Sequence, residues 1–484
     1  MKRQKVVPVD DAREFHLQEL FFSATTGKGI ITYGNQVFVR VSNYRIEELI
    51  GSPHSIVRHP DMPKAVFKLF WDYLLAGKPV AAYVKNMASD GRYYWVVAVA
   101  APVADGSFLS VRFKPSSPLF RTVEGVYKTL LAEEQACGQR GEDGKAAMQA
   151  AHELLLHTLQ EKGFADYDAF MRTMVYAELS SRDELLSKDQ STHRNVLSTL
   201  DVGLDGGARA LRQIYEKARV RYAQINGIYA QLDRYARLND QLRKQADTIL
   251  DLTHEFRLTC MNLTVTSSRV GEEGRTLSVI AMQLGDASSL VAKVVSSLTS
   301  QVEKVSQCLG ATIFALAWAR LQFEVVMQYY REIATIPHEA DHPGQSDPRL
   351  QRLGDLHTAF VGAVTQTSQS LHGLAKDLKG LSSNVDDLRK SMLSLHVTYV
   401  GGLVEACRSA SEAIFRPIFV DIRKHIESTK GELVAFNDAI GILDQLAGQT
   451  PHIIGVVSDA AREMEQDHAS LLNGAPNGSS QEAA

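Results

Sequence analysis

Val57-Arg58-His59-Pro60-Asp61-Met62-Pro63 is the stretch on which the reading of this chain turns. It joins two short helical patterns inside residues 22–114, which otherwise read as a small antiparallel sheet. Downstream, Asp90-Gly91 separates residues 80–87 from 92–103, and Asp105-Gly106 separates that strand from 107–114. Asp-Gly favours a type I′ turn, whose two central positions need positive φ and whose twist suits antiparallel strands. Upstream, 21–24 and 29–33 read as two further strands, followed by short helical pieces at 36–41 and 46–50. A firmer helix covers 63–76, with Val66, Phe67, Phe70, Trp71 and Leu74 on one stripe. Two strands, a helix cluster and three more strands predict a five-stranded sheet with a hollow between sheet and helices.

The bulk properties leave room for such a module beside others. At 484 residues and 45% hydrophobic content the chain can hold two to four domains with buried cores. Its 52 basic and 56 acidic residues nearly cancel, so neither nucleic acid nor an anionic lipid surface is implied. Cys137, Cys260, Cys308 and Cys407 lie far apart without CxxC spacing, which argues against a zinc site or disulfide framework and fits a reducing cytoplasm. The basic start Met1-Lys2-Arg3-Gln4-Lys5 is followed by no apolar run, so no signal peptide is expected. The most apolar stretch, 309–330, is broken by Arg320, Gln322 and Glu324 and reads as a buried helix rather than a membrane span. The expected location is the cytoplasm.

The order of elements and several local words of the first domain resemble the PAS fold, and within it the aerotaxis-receptor branch. Those words are Ile31-Thr32-Tyr33-Gly34-Asn35, Glu48-Leu49-Ile50-Gly51-Ser52-Pro53-His54, the 58–63 stretch, Val84-Lys85-Asn86 and Tyr93-Tyr94-Trp95-Val96. The resemblance implies bound FAD, with Arg58, His59 and Asp61 in the family's flavin-binding positions. Asn35 and Asn86 then become polar groups of the pocket and Trp71 an aromatic neighbour of the ring. A flavin needs an apolar slot, a few hydrogen-bond partners and a cation against its phosphates or reduced ring. Plainer roles compete with these. Asp61 could cap the following helix, His59 could be a loop histidine, Trp71 and Trp95 could be core, and Asn35 a turn residue. The chain departs from the family at Val80 and Ala82, where a Trp and a Gly are usual.

Residues 119–205 read as a connector of helices near 119–137, 145–162 and 167–179. From about 208 heptads sharpen. Ala218, Ile225, Leu242, Ile249, Phe256 and Leu263 share a seam with Leu211 and Ile214, interrupted by Arg221, Asn239 and Thr253. A second series runs Leu277, Ile280, Leu284, Ala287, Val291, Val294 and Leu298 to a polar Gln301. Between them lies Gly271-Glu272-Glu273-Gly274, which predicts an antiparallel helical hairpin turning there. Pro337, Pro343-Gly344 and Pro348 mark a linker over 337–349. Helical patterning resumes over 350–470, with Gly401-Gly402 and Pro417 as candidate interruptions, and 471–484 reads as a disordered tail.

The hairpin tip carries a second resemblance. Asn262, Ser268-Arg269-Val270-Gly271-Glu272-Glu273-Gly274-Arg275 and Leu277-Ser278-Val279-Ile280-Ala281 are similar to the cytoplasmic signalling tip of methyl-accepting chemotaxis receptors. The likeness implies that Asn262 packs receptor dimers together, while Arg269, Glu272 and Arg275 help engage a histidine kinase and its coupling adaptor. The tip is degenerate at Thr266 and Thr276, and no matched pair of methylatable residues is evident.

The expected fold is thus an α+β N-terminal PAS domain over 18–118, after an extension at 1–17. A mainly α body follows, an antiparallel coiled coil and helical bundle with a receptor-like hairpin over 206–336 and its tip near 262–281. The expected function is a homodimeric, soluble signal transducer that senses redox state or oxygen through FAD and informs a histidine-kinase pathway. The alternative is an interaction scaffold whose tip no longer controls a kinase, favoured by Val80, Thr266 and Thr276. No triad, metal cluster, Walker loop or Rossmann fingerprint supports an enzyme.

Overall fold

The computed structural model describes residues 6–103, 106–188, 206–335, 348–409 and 411–473. They form two compact units: Met1–Tyr229 with Ile313–Thr367 and Ile454–Ala484, and Ala230–Thr312 with Ser368–Ile453.

The first unit contains a sheet of β1 (Val9–Ala12), β2 (Phe21–Thr25), β3 (Ile31–Gly34), β4 (Val80–Met87), β5 (Arg92–Pro102) and β6 (Phe108–Phe113). The order is β1-β5-β6-β2-β3, with β4 also paired to β5. The five expected strands are all present and antiparallel. A sixth, β1, comes from the N-terminal extension and runs parallel to β5. Between β3 and β4 lie α1 (Gln36–Ser42), α2 (Ile46–Leu49), a 3₁₀ turn (His54–Val57) and α3 (Lys64–Leu75).

Both hairpin turns differ from the type I′ expectation. Gly91 has φ +87° while Asp90 stays at negative φ, and Gly91 N–H donates to the Ala88 carbonyl at 3.0 Å. Gly106, at φ +79°, donates likewise to Val103 at 3.0 Å; Asp105 lies outside the described residues. One left-handed glycine closing a short loop is the type I turn with a bulge. Asp90 is instead held by its carboxylate, which pairs with Arg13 and Arg92.

The sheet is buried on both faces. Its inner face lies under α1–α3. Its outer face along β4 and β5 is covered by α4 (Leu119–Gln139) and α6 (Tyr167–Lys188) of the connector, whose α5 (Gly144–Glu161) packs on α3 and α4; Phe120 and Tyr127 meet Trp95 there, and the Tyr167 hydroxyl donates to Ala81 O at 2.9 Å. Every residue of β6 is buried, with no solvent-facing alternate.

Four long helices follow: α7 (Gly206–Val270), α8 (Arg275–Thr335), α9 (Pro348–Arg408) and α10 (Glu412–Asn473). Gly271–Gly274 forms a 3₁₀ turn between α7 and α8, the hairpin turn the sequence predicts. Most of the expected linker, residues 189–205 of the connector and most of the tail lie outside the described residues. In the second unit the helices form a four-helix bundle. Asn239 of α7 donates to Ser306 of α8, Asn384 of α9 to Ser297 of α8, and His425 of α10 lies 3.5 Å from Glu255 of α7. These pairs put the α7–α8 and α9–α10 turns at one end of the bundle.

The seam of α7 is as expected: Leu242, Ile249, Phe256 and Leu263 are buried, as is Thr253, whose hydroxyl donates back to Ile249 O. The seam of α8 is shifted. Ala281, Ser288, Val295 and Val302 are buried, while Ile280, Ala287, Val294 and Gln301 are only half-buried. A helix in a four-helix bundle faces two neighbours, so its buried stripe is wider than an a/d seam, and Gln301 falls at its margin. Gly401-Gly402 does not break α9, and Pro417 does not break α10; the interruption falls between Arg408 and Glu412. A Cβ at Gly402 would stand 2.7 Å from Phe419 and 2.8 Å from Ile280, so the glycine serves close helix approach. In the first unit, α8 is nearly wholly buried from Ile313 to Tyr330. It is apolar and long enough to cross a membrane by composition, yet 83% of its most apolar window is buried inside the protein.

Candidate functional site

A cavity of about 470 Å³ lies between α3 and the inner face of the sheet, within the usual range for small-molecule sites. Helical spacing sets one wall: Phe67, Phe70, Trp71 and Leu74 recur at i, i+3, i+4 and i+7. Strand alternation sets the other: Val84 and Asn86 of β4, Ala98 and Ala100 of β5, and Phe108, Ser110 and Arg112 of β6 share the inner face. The two alanines open the slot that larger side chains would fill, and Trp71 meets Phe108 edge-on at 5.7 Å.

The charge of the lining is one-sided. Lys28, Arg58, Lys64, Lys68 and Arg112 line the cavity, and among the described residues no carboxylate does. Arg112 is fully buried. Its Nη1 donates to Ser23 Oγ at 3.0 Å, its Nη2 donates to His54 Nε2 at 2.7 Å, and its guanidinium lies 5.7 Å from the Phe38 ring centroid. Among the described residues no carboxylate pairs with it. Burial pushes its pKa down to about 10, against a small opposing effect of Tyr94. Burial, then the Arg112 charge, holds His54 well below the ordinary histidine value, so its ring is neutral and accepts from Arg112. Two buried polar atoms on the lining, Asn86 Nδ2 and Ser110 Oγ, have no partner among the described residues. A buried polar atom without a partner costs about 1–3 kcal/mol unless something else meets it.

The residues singled out in the sequence divide between two settings. Arg58, Asn86 and Trp71 line the cavity. Arg58 lies over the Phe67 ring at 3.9 Å; burial lowers its pKa and Glu134 works against that. His59 is buried outside the lining, where its Nδ1 accepts from Asp61 N–H at 3.1 Å. Burial and Lys85 hold His59 below its ordinary pKa, with Asp61 opposing. Asp61 is exposed and pairs with Lys85 at 3.0 Å. It does not cap α3, whose N-cap residue is Pro63, without a side-chain cap; Glu134 of α4 accepts from Ala65 N–H instead. Asn35 caps α1: its Oδ1 accepts from Phe22 and Phe38 N–H, and its Nδ2 donates to Leu20 O. Sequence reasoning missed Arg112 and His54 as a pair. The available signal was the polar alternate, Ser110 and Arg112, in an otherwise apolar strand.

At the hairpin tip, Asn262, Arg269 and Arg275 are exposed on α7 and α8, and the Glu272 side chain lies outside the described residues. Leu258, Met261, Val265, Val279 and Met282 are exposed apolar neighbours on the same two helices.

The family description "PAS fold" matches residues 31–112. Over 114 residues the chain is 43% identical to the aerotaxis receptor of Escherichia coli, covering 23% of this chain and 22% of that protein. Over 79 residues it is 30% identical to biofilm dispersion protein BdlA of Pseudomonas aeruginosa, covering 16% of this chain and 19% of that one. The chain therefore spans about a fifth of the length of these relatives. Among solved structures, the light-state LOV domain of the blue-light photoreceptor aureochrome1 is 22% identical, covers 24% of this chain and 90% of that one, and has a TM-score of 0.19. The cavity thus belongs to a PAS domain, and the sequence kinship of that domain is with sensory receptors of the chemoreceptor type.

Proposed function

We propose that the chain is a chemoreceptor-like redox or oxygen sensor whose PAS cavity holds FAD. The observation that carries this reading is the lining: five cationic side chains, no carboxylate, and the unmet atoms Asn86 Nδ2 and Ser110 Oγ between aromatic walls. Such a lining suits a planar, hydrogen-bonding, negatively charged guest. Arg112 and His54 face its polar edge, the cations at the rim suit phosphates, and α3 with Trp71 forms one apolar wall. When bound, a flavin supplies electron uptake at the ring, with a change of charge. Arg112, unpaired by any carboxylate among the described residues, is placed to respond to that change by altering its bonds to Ser23 and His54.

The downstream reading follows from the tip: a cytoplasmic, non-enzymatic homodimer that passes the signal along its helices to a histidine kinase and coupling adaptor. The purified protein is expected to show a flavin absorption spectrum, or to gain one on addition of FAD. A preparation that stays colourless after FAD addition overturns the cofactor. The scaffold reading is favoured by Thr266 and Thr276 in the tip. Co-purification of kinase and adaptor with the wild type, lost in Arg269→Ala, eliminates it.

A further inference from the structure

Helix α8 is buried on nearly all sides in the first unit, yet it carries polar side chains at Arg320, Glu324, Gln328 and Glu332, one every four residues. Each is bonded to the PAS domain or to the connector helix that clasps it. Arg320, 1% exposed, forks onto Asp183 of α6, with Nη1 donating to Oδ2 at 2.6 Å. Glu324 accepts from Arg182 of α6 at 2.7 Å and from the Tyr222 hydroxyl at 2.7 Å. Gln328 makes both bonds to the main chain of Leu20, donating to its carbonyl at 3.1 Å and accepting from its N–H at 3.2 Å. Glu332 accepts from Gln36 N–H, at the start of α1, at 3.2 Å. Tyr329 packs edge-on against Phe22 and Tyr33 on the outer face of the sheet.

Buried polar groups add little net stability over an apolar contact of equal shape. What a row of them does is fix register, because a slip of one turn would break every bond together. The far ends of these bonds reach the cavity walls. Leu20 precedes β2, whose Ser23 holds Arg112, and Gln36 follows Asn35, which ties α1 to β2. On α6, Glu178 accepts from Tyr83 of β4 one turn before Arg182, and β4 presents Asn86 to the cavity.

We propose that this four-residue polar ladder is the coupling device of the protein: α8 is the output helix, and occupancy of the cavity resets its bonds at Arg320, Glu324, Gln328 and Glu332. The proposal rests on the reading that the cavity takes a guest. Two discrete bonding arrangements of the ladder then supply the two-state element that any transmitted signal requires.

The test is hydrogen exchange of the full-length chain, read in peptides covering residues 313–335 with and without FAD. Exchange there is expected to change by about fivefold or more, the lower edge of ordinary coupling between sites. In Gln328→Met the change should shrink, with FAD affinity shifted by no more than the coupling factor itself, and Tyr222→Phe, a milder loss beside Glu324, should shrink it in part. FAD binding that alters exchange in 80–113 but not in 313–335 overturns the proposal, as does a full response in both variants. If FAD does not bind, Ser110→Val and Ala100→Phe fill the cavity in its place. A response of 313–335 to either filled cavity keeps the ladder and removes only the flavin; no response in both, with the sheet folded, removes the ladder.

Discussion

Glu178 and Arg182 stand one turn apart on α6 but are bonded to different parts of the first unit. Glu178, wholly buried, accepts from the Tyr83 hydroxyl at 2.6 Å, the Ser117 hydroxyl at 2.8 Å, and the Ser116 and Ser117 N–H groups at 2.6 and 3.0 Å. Arg182 donates to Leu17 O and to Glu324 of α8. The chain leaves the sheet through Ser116 and Ser117, so the carboxylate fastens that exit to α6 within one turn of the contact with α8.

Among the described residues Glu178 meets its donors without a cation, so its removal strands them. Glu178→Ala is expected to lower stability by about 2 kcal/mol or more, the scale for leaving buried donors unmet. Glu178→Gln should cost less, since an amide oxygen can still accept. Denaturant midpoints of the two variants check the order; equal loss in both would place the effect in packing rather than in the bonds.

Glu324 makes the fold acid-sensitive. Burial alone would raise its pKa, but Arg182 and Arg320 overcome that and hold it down at about 2, against an ordinary value of 4.5. A carboxyl with a depressed folded pKa contributes stability above its unfolded pKa and loses it as pH falls toward the folded one. Stability of about 3 kcal/mol is therefore expected to drain away between about pH 5 and pH 2. Glu324→Gln should be less stable at neutral pH and flatter across that window. Urea unfolding at several pH values reads both; an unchanged slope in the variant would assign the acid sensitivity to other carboxylates.

Arg112 costs the protein stability when nothing answers its charge. In Arg112→Met the ligand-free chain is expected to melt no lower than wild type, because an unpaired buried cation is replaced by an apolar side chain of similar length. FAD affinity should fall by at least about tenfold, or about 1.4 kcal/mol. Calorimetry and a flavin titration separate the roles. A lower melting temperature with unchanged affinity would make Arg112 a structural residue held by Ser23 and Phe38.

The sheet was legible because glycine turns and alternating strands are local features. β1 was not: Val9–Ala12 is exposed at every position, carries no alternation, and is fixed only by main-chain bonds such as Val9 N–H to Gly91 O at 2.8 Å. The cavity lining was half legible. Asn86 and Trp71 stand out as words, whereas Arg112 is one polar alternate of β6 whose partners, Ser23 and His54, come from distant parts of the chain. Likewise the phase of α8 depends on how many neighbours a helix has, which a heptad cannot state. The polar residues of α8 were visible in the sequence as breaks in an apolar run, but their partners on α6 and in the PAS domain lie more than a hundred residues away.

The tip separates folding from recognition at adjacent positions. Leu263 is fully buried in the second unit, while Asn262 beside it is exposed and accepts from the Thr266 hydroxyl at 3.5 Å. Leu263→Ala should cost about 2–5 kcal/mol, the range for emptying a buried leucine site. Asn262→Ala and Arg269→Ala should shift stability by no more than about 0.5 kcal/mol, as exposed positions do. Any loss of kinase or adaptor co-purification in those two variants would then be a loss of contact and not of fold. If both keep full co-purification at wild-type stability, the partner touches another surface, and the exposed Met261, Val265 and Met282 are the next positions to change.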